Sequence, residues 1–327
     1  MTDTEIIRID ARQTRAALPF AALIPTLREA FASGATVPPR HHHHIPLPDG
    51  TEATLLLMPA WQKDGYLGIK IVNVFPGNSA KGLPGLHSIY LLCDGATGQP
   101  LALIDGNEIT GRRTVGTAAL GASYLAREDA SSLLVVGSGR IASLAPEAFA
   151  QVRKIEQVMI WDRTQAKAEA LADRLRAQGF DARAASSLPD ATTQADIICC
   201  ATLSTAPLIR GEWLRPGVHL DLIGSFRPDM RETDDDCMQR GRLFVDSTDA
   251  LREAGDLVQP IAAGAITSDA VLGTLSDLCA GRCRGREGRD EITIFKAVGT
   301  ALSDIAAAAL AYRGATGVPS SFRENLR

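Results

Sequence analysis

No apolar run in the 327 residues approaches the roughly 18 needed for a membrane-spanning helix. The opening Met1-Thr-Asp-Thr-Glu5 is too polar and acidic for a secretory signal. Charge of one sign is also lacking. The 34 Lys+Arg and 38 Asp+Glu leave a formal net charge of −4, no electrostatic reason to expect nucleic acid or an anionic membrane as partner. Cysteines are few, and Cys93, Cys199, Cys200, Cys237, Cys279 and Cys283 show no metal-ligand pairing. Cys199 and Cys200 lie in an apolar run and read as core, and Cys279 and Cys283, four apart in an Arg/Gly-rich segment, are not read as a zinc site. These absences leave a reduced, cytoplasmic protein with no metal. Its length suits about two domains, and its 45% hydrophobic and 22% charged residues are ordinary for a globular chain.

What is present centres on Ser132-Leu-Leu-Val-Val-Gly-Ser-Gly-Arg-Ile-Ala142, a buried strand breaking into a glycine turn and a helix. Gly137 permits the tight turn, Gly139 lets the backbone approach a pyrophosphate, and Ala142 is small enough for the helix to pack on the strand. Ser138, Arg140 and Ile141 complete the loop at a helix N-terminus, whose N–H groups and dipole favour phosphate. A structural glycine turn is the competing explanation. The second apolar run, ending in Trp161-Asp-Arg-Thr164 one βαβ unit downstream, favours a dinucleotide. Asp162 suits a ribose 2′-hydroxyl and Arg163 a 2′-phosphate, with Thr164 an extra hydroxyl and Arg140 further positive charge. The balance leans to NADPH, with NADH or dual use open and Arg163 otherwise a solvated charge at a helix start.

From Ser131 to about Ser247 apolar runs alternate with amphipathic helices: 157–161, 195–201, 218–223 and 243–245 read as strands, and 164–178 as a helix. Pro146 falls inside the first helix and is expected to kink or tighten it. The flanks differ. Residues 20–33 read as a helix, and 53–58, 66–74, 88–94 and 100–105 as strands of an antiparallel sheet, with Asp94-Gly95 and Gly98 as hairpin chemistry. Residues 294–312 read as one Ala-rich helix returning to the N-terminal half. The expected fold is α/β, a Rossmann-type doubly wound parallel sheet inserted in a discontinuous α+β domain. Its parts are 1–116 with 300–319 around 117–299, and 320–327 is a loose tail.

Three cations stand where a small anion could sit. Arg40 follows Val37-Pro-Pro, Lys70 alternates with Ile69 and Ile71 and so faces away from them, and Arg113 closes Gly111-Arg-Arg113. A guanidinium suits bidentate carboxylate recognition, and a partly buried lysine suits proton transfer. Each would otherwise be a solvated charge. The run His41–His44 reads as a polar wall or surface loop, since adjacent residues of an extended chain point to opposite faces. His87 is a candidate for substrate contact or a packing histidine. Asp229, Arg231, Glu232 and Asp234 to Asp236 form a charged segment whose acidic run reads as a cap for the next helix.

The ordered segments Pro-Pro-Arg40, Gly68-Ile-Lys70-Ile-Val-Asn73, Asp105-Gly-Asn-Glu-Ile-Thr-Gly-Arg-Arg113-Thr, Gly137-Ser-Gly139-Arg-Ile-Ala142, Trp161-Asp-Arg-Thr164, Gly224-Ser-Phe-Arg-Pro-Asp-Met-Arg-Glu232 and Phe295-Lys296-Ala-Val-Gly resemble the ornithine cyclodeaminase/mu-crystallin family over about residues 5–318. The resemblance implies a homodimer in which the flanking domain binds substrate and makes the dimer, and the central one binds the cofactor. It implies that Arg40 and Arg113 hold a substrate carboxylate and Lys70 lies beside the reacting C=N or C=O. Thr202, Leu203 and Ser204 would line the nicotinamide, and Ile223, Gly224, Lys296 and Arg113 would also touch the cofactor. Cyclodeaminases of the family carry an aspartate two residues after the glycine that ends the fifth strand, where this chain has Phe226. An apolar ring cannot pair an ammonium or act as a base, so Phe226 is expected to wall the substrate ring instead. The expected activity is NAD(P)H-dependent reduction of a cyclic ketimine, Δ1-pyrroline-2-carboxylate or Δ1-piperideine-2-carboxylate, to proline or pipecolate. An ornithine cyclodeaminase or alanine dehydrogenase activity, and a non-catalytic NADPH-dependent binding protein, are the alternatives.

Overall fold

The computed structural model describes residues 5–63 and 65–317. The expected loose tail, 320–327, lies outside the described residues, as do 318 and 319. Packing divides the chain into two units: residues up to Arg113 with those from Thr300 onward, and Thr114–Gly299. The first division falls within the helix Gly106–Leu125.

The first unit is a six-stranded sheet. Its strands are β1 (Ile7–Ile9), β2 (His41–Pro46), β3 (Glu52–Trp61), β4 (Tyr66–Val74), β5 (Leu86–Asp94) and β6 (Pro100–Asp105), in the order β1-β6-β5-β4-β3-β2. All neighbours are antiparallel except β1 and β6. In β4 the alternation is plain: Tyr66, Gly68, Lys70 and Val72 are buried, while Leu67, Ile69 and Ile71 are half-buried. Lys70 thus faces away from its flanking isoleucines, as period two requires. Gly68 is glycine for a steric reason, because a Cβ there would collide with the Tyr90 ring. The helix Phe20–Ser33 packs on Ala301–Thr316, which in turn lies on β3 and β4.

Two sequence expectations change here. The run His41–His44 is neither loop nor wall but the edge strand β2, paired with β3 and exposed at all four histidines. Nothing in a run of histidines signals a strand; the pairing with β3 imposes one. Residues 294–312 are not one helix. Thr293–Lys296 is the buried strand β14, Gly299 turns the chain at φ 82°, and the helix begins at Ala301 with the Thr300 side chain accepting from the Leu302 N–H. A short apolar stretch fits either period, and only its neighbours decide which is used.

The second unit is a wholly parallel eight-stranded sheet. It comprises β7 (Ser132–Val136), β8 (Gln157–Trp161), β9 (Ala182–Ala184), β10 (Ile197–Cys200), β11 (His219–Leu222), β12 (Arg242–Val245), β13 (Val271–Thr274) and β14. The order is β13-β12-β14-β11-β10-β7-β8-β9. Leu133 to Val136 and Ile197 to Cys200 are buried, as central strands covered on both faces must be. The chain winds outward one way through β8 and β9 and the other way from β10, so β7 and β10 flank the topological switch point. In such sheets ligands bind off the carboxyl ends of the strands at that point. Pro146 lies buried within Arg140–Phe149, which ends three residues later. Among the described residues no helix is long and apolar enough to cross a membrane.

Candidate functional site

The ends of β7, β8 and β10 in the second unit enclose a pocket of about 550 Å³, lined by the glycine loop, by Trp161 to Thr164 and by Ala201 to Ser204. Its two loop glycines serve different ends. Gly137 stands at φ 109°, and a Cβ on it would lie 2.8 Å from the Ala201 carbonyl oxygen. The close approach of β7 to β10 therefore requires glycine there. A Cβ on Gly139 would meet no protein atom within 4 Å. Nothing in the chain's own packing explains its bareness. Gly139 caps the helix Arg140–Phe149, and its missing side chain leaves a cradle at the first-turn N–H groups, which suits a pyrophosphate.

Each Asp162 oxygen already accepts one hydrogen bond. Oδ2 accepts from Ser138 Oγ at 2.6 Å and Oδ1 from the Thr164 N–H at 2.8 Å. Exposed Arg163 shares this part of the wall with Lys167 and Arg174, two cations of the following helix.

At the other end of the pocket, Thr202 is tied inward. Its N–H and hydroxyl both donate to Glu232 Oε1 at 2.8 Å. Glu232 is fully buried, and burial pushes its carboxyl above the usual range despite the nearby Lys296 ammonium. Asp234, by contrast, caps its helix through the Cys237 N–H, with Asp235 and Asp236 in the first turn. Lys296 does not line the pocket. Its ammonium donates to the Gly224 carbonyl and lies 3.5 Å from Asp256. Arg140, Ile141, Ile223 and Gly224 are also outside the lining, whereas Leu203 and Ser204 belong to it. After Gly224 the backbone is strained: buried Ser225 has φ 52° and is pinned by its hydroxyl to the Met230 carbonyl and the Asp256 N–H. The Phe226 that follows is exposed.

The first unit holds a buried ionic cluster. Lys70 Nζ lies 2.7 Å from Asp304 Oδ2, and Arg113 Nε donates to Asp304 Oδ1 at 2.7 Å. All three side chains are essentially sealed from solvent, where an unpaired ammonium would cost several kcal/mol. Burial lowers Lys70 to about 8; Asp304 opposes that shift, and Arg113 and Arg40 add to it. Burial alone would raise the Asp304 carboxyl, but Arg113 and Lys70 together hold it below the usual range. Arg40 is close enough to Lys70 to act on its charge, and Tyr90 pairs with Lys70 across β4 and β5. His87 pairs with Asn73, three positions along β5 from Tyr90, so strand alternation puts it on the sheet face opposite Lys70. The adjacent arginines of the helix diverge. Arg112 donates to the Leu18 carbonyl at 2.5 Å and stacks 4.1 Å over Phe20, a packing role, while Arg113 turns to Asp304.

Residues 10–317 match the ornithine cyclodeaminase/mu-crystallin family. The chain belongs to that family. It is 42% identical over 279 residues to a Delta(1)-pyrroline-2-carboxylate reductase of Paracoccus denitrificans, covering 85% of this chain and 88% of that protein. The structure of the Thermococcus litoralis Delta(1)-pyrroline-2-carboxylate reductase, in complex with NADH and L-proline, superimposes with a TM-score of 0.89 at 31% identity, covering 95% of this chain and 98% of that one. An archaeal alanine dehydrogenase dimer with bound NAD gives a TM-score of 0.87 at 27% identity, covering 95% and 96%.

For a member of the ornithine cyclodeaminase/mu-crystallin family, the sequence reading missed Asp304, Glu232, Lys167 and Arg174 as parts of these sites. Asp304 had one signal, a lone acid in the run Ala301-Leu-Ser-Asp-Ile-Ala-Ala-Ala-Ala309. Glu232 was hidden among neighbouring acids that do face solvent. Lys167 and Arg174 look like ordinary helix-surface charges until the pocket beside them is known.

Proposed function

We propose that this chain is a ketimine reductase that uses NAD(P)H to reduce Δ1-pyrroline-2-carboxylate or Δ1-piperideine-2-carboxylate to proline or pipecolate. The observation that carries the reading is the imbalance in the first unit. Two buried cations, Lys70 and Arg113, share a single carboxylate, Asp304. Such a cluster is electrostatically prepared for one more negative charge, and the carboxylate of a cyclic imino acid supplies it. Arg113 meets Asp304 through Nε, which leaves its terminal nitrogens for a fork on that incoming carboxylate. Arg40 is the second cation assigned to it.

The pocket of the second unit would hold the dinucleotide, which when bound would supply the hydride for the reduction. Gly139 and the helix behind it would hold the pyrophosphate, and Thr202 to Ser204, braced by Glu232, the nicotinamide. Lys70 supplies the proton that makes the imine electrophilic. At about 8 its pKa lets it carry a proton at neutral pH and still release it. NADPH is the preferred form in this reading. Arg163, Lys167 and Arg174 together offer positive charge to a 2′-phosphate beside the single carboxylate of Asp162, whose oxygens each already accept one hydrogen bond, from Ser138 and Thr164. Phe226 supplies no carboxylate for an ornithine side chain, which disfavours cyclodeamination. The reading extends to a cytoplasmic homodimer, in keeping with six free thiols.

The test is oxidation of NADPH and of NADH by the purified protein with each cyclic imino acid and with pyruvate plus ammonia, and ammonia release from ornithine under NAD+. Turnover of a cyclic imine, faster with NADPH, is the expected result. Ammonia release from ornithine with no imine reduction would overturn it.

A further inference from the structure

Asp304 is the one carboxylate in the Ala-rich helix Ala301–Thr316, and it is fully buried. It reaches Lys70 on β4 with one oxygen and Arg113 on the helix Gly106–Leu125 with the other, both at 2.7 Å. Three separate elements therefore converge on one side chain. Neither cation is fixed by its own element alone. Lys70 has four rotatable side-chain bonds, and Arg113 could turn its terminal fork inward as readily as its Nε.

We infer that Asp304 is a positioning residue of the reduction: it aims the Lys70 ammonium and engages Arg113 side-on, so that the guanidinium fork faces the substrate carboxylate. The inference rests on the reductase reading above. The reaction adds a hydride to the imine carbon and a proton to the imine nitrogen. The C=N double bond becomes a C–N single bond, the reduced dinucleotide is oxidised, and Lys70 loses a proton that solvent later restores. Lys70 must therefore be protonated to act, and activity falls as pH rises through its pKa. The charged and titratable groups around Lys70 are Asp304, Arg113, Arg40 and, across the strand, Tyr90. Of these only Asp304 favours the ammonium. Removing its charge lowers the Lys70 pKa and moves the alkaline limb of the rate profile to lower pH.

The experiment follows the Lys70 ε-carbon by NMR in the full chain labelled with 13C-ε-lysine, its signal assigned by its absence in Lys70→Arg. The pH profiles of kcat and KM are measured on the same preparations. In Asp304→Asn the titration midpoint should fall by about one unit or more, a tenfold loss of ammonium at a fixed pH above it. The alkaline limb should fall with it, and KM for the imino acid should rise as Arg113 loses its orientation. Asp304→Glu keeps the charge and should restore much of the midpoint while leaving KM raised. It also serves as the test variant if Asp304→Asn does not fold. An unchanged midpoint and limb in Asp304→Asn, or an unchanged KM in Asp304→Glu, overturns the assignment. If the wild type reduces no cyclic imine, the reductase reading fails and the positioning role falls with it. The NMR midpoint still separates that failure from a loss of the Asp304–Lys70 coupling.

Discussion

At the scale of single residues, Lys70 carries the sharpest consequence. Lys70→Ala removes the proposed proton donor and one charge of the cluster, while the pocket in the other unit keeps its lining. Loss of a general acid costs about 10²–10⁴-fold in rate. The expected outcome is that loss in kcat/KM on the imino acid with unaltered NADPH binding by fluorescence; near-wild-type turnover would remove Lys70 from the mechanism. The orientation of Lys70 was legible in the sequence because alternation with Ile69 and Ile71 assigns its face. The choice of Arg113 over Arg112 came from the family resemblance and not from any local pattern. Both are arginines on one helix, and only the positions of Leu18, Phe20 and Asp304 separate them.

At the scale of elements, the glycine loop makes two separable claims. Gly137→Ala forces a side chain into positive φ and against the Ala201 carbonyl, a cost of about 1–3 kcal/mol. Melting should occur roughly 5 °C lower by calorimetry. A Cβ at Gly139 meets nothing within 4 Å and φ is an ordinary −71°, so the melting temperature of Gly139→Val should hold. Its NADPH dissociation constant should rise at least about tenfold, since the new side chain occupies the cradle. Equal stability losses in the two variants, with cofactor binding retained in Gly139→Val, would refute the assignment of the loop. The loop, β7 and β8 were legible because glycine spacing and apolar runs are local signals. β2 and the β14-to-helix break were not, since a strand of histidines and a four-residue apolar strand acquire their state from the neighbours they pair with.

At the scale of the whole molecule, the sheet of the first unit has two unlike faces. The helix Ala301–Thr316 covers the face bearing Lys70. The other carries Leu57, Ile69, Ile71, Leu91 and Leu103 half-buried and Ile89 exposed, side by side in register across four strands. Contiguous apolar surface of this kind is what an interface requires, and a twofold pairing of such faces would build the proposed homodimer. Wild-type protein should elute as a dimer in light-scattering chromatography at micromolar concentration, and Ile71→Glu, with a charge at the centre of the face, as a monomer. A monomeric wild type would exclude this face as the interface.

The sequence by itself determined the glycine turn between strand and helix, the parallel and antiparallel halves, the face of Lys70 and the family, because these are written in local spacing and ordered motifs. Tertiary structure decided that Asp304 joins Lys70 to Arg113, that Glu232 braces Thr202, that Lys296 turns inward and that His87 lies on the far face from Lys70. The physical reason is that a buried charge is defined by its partner. Here the partners come from strands and helices far apart in the chain, which no local pattern records.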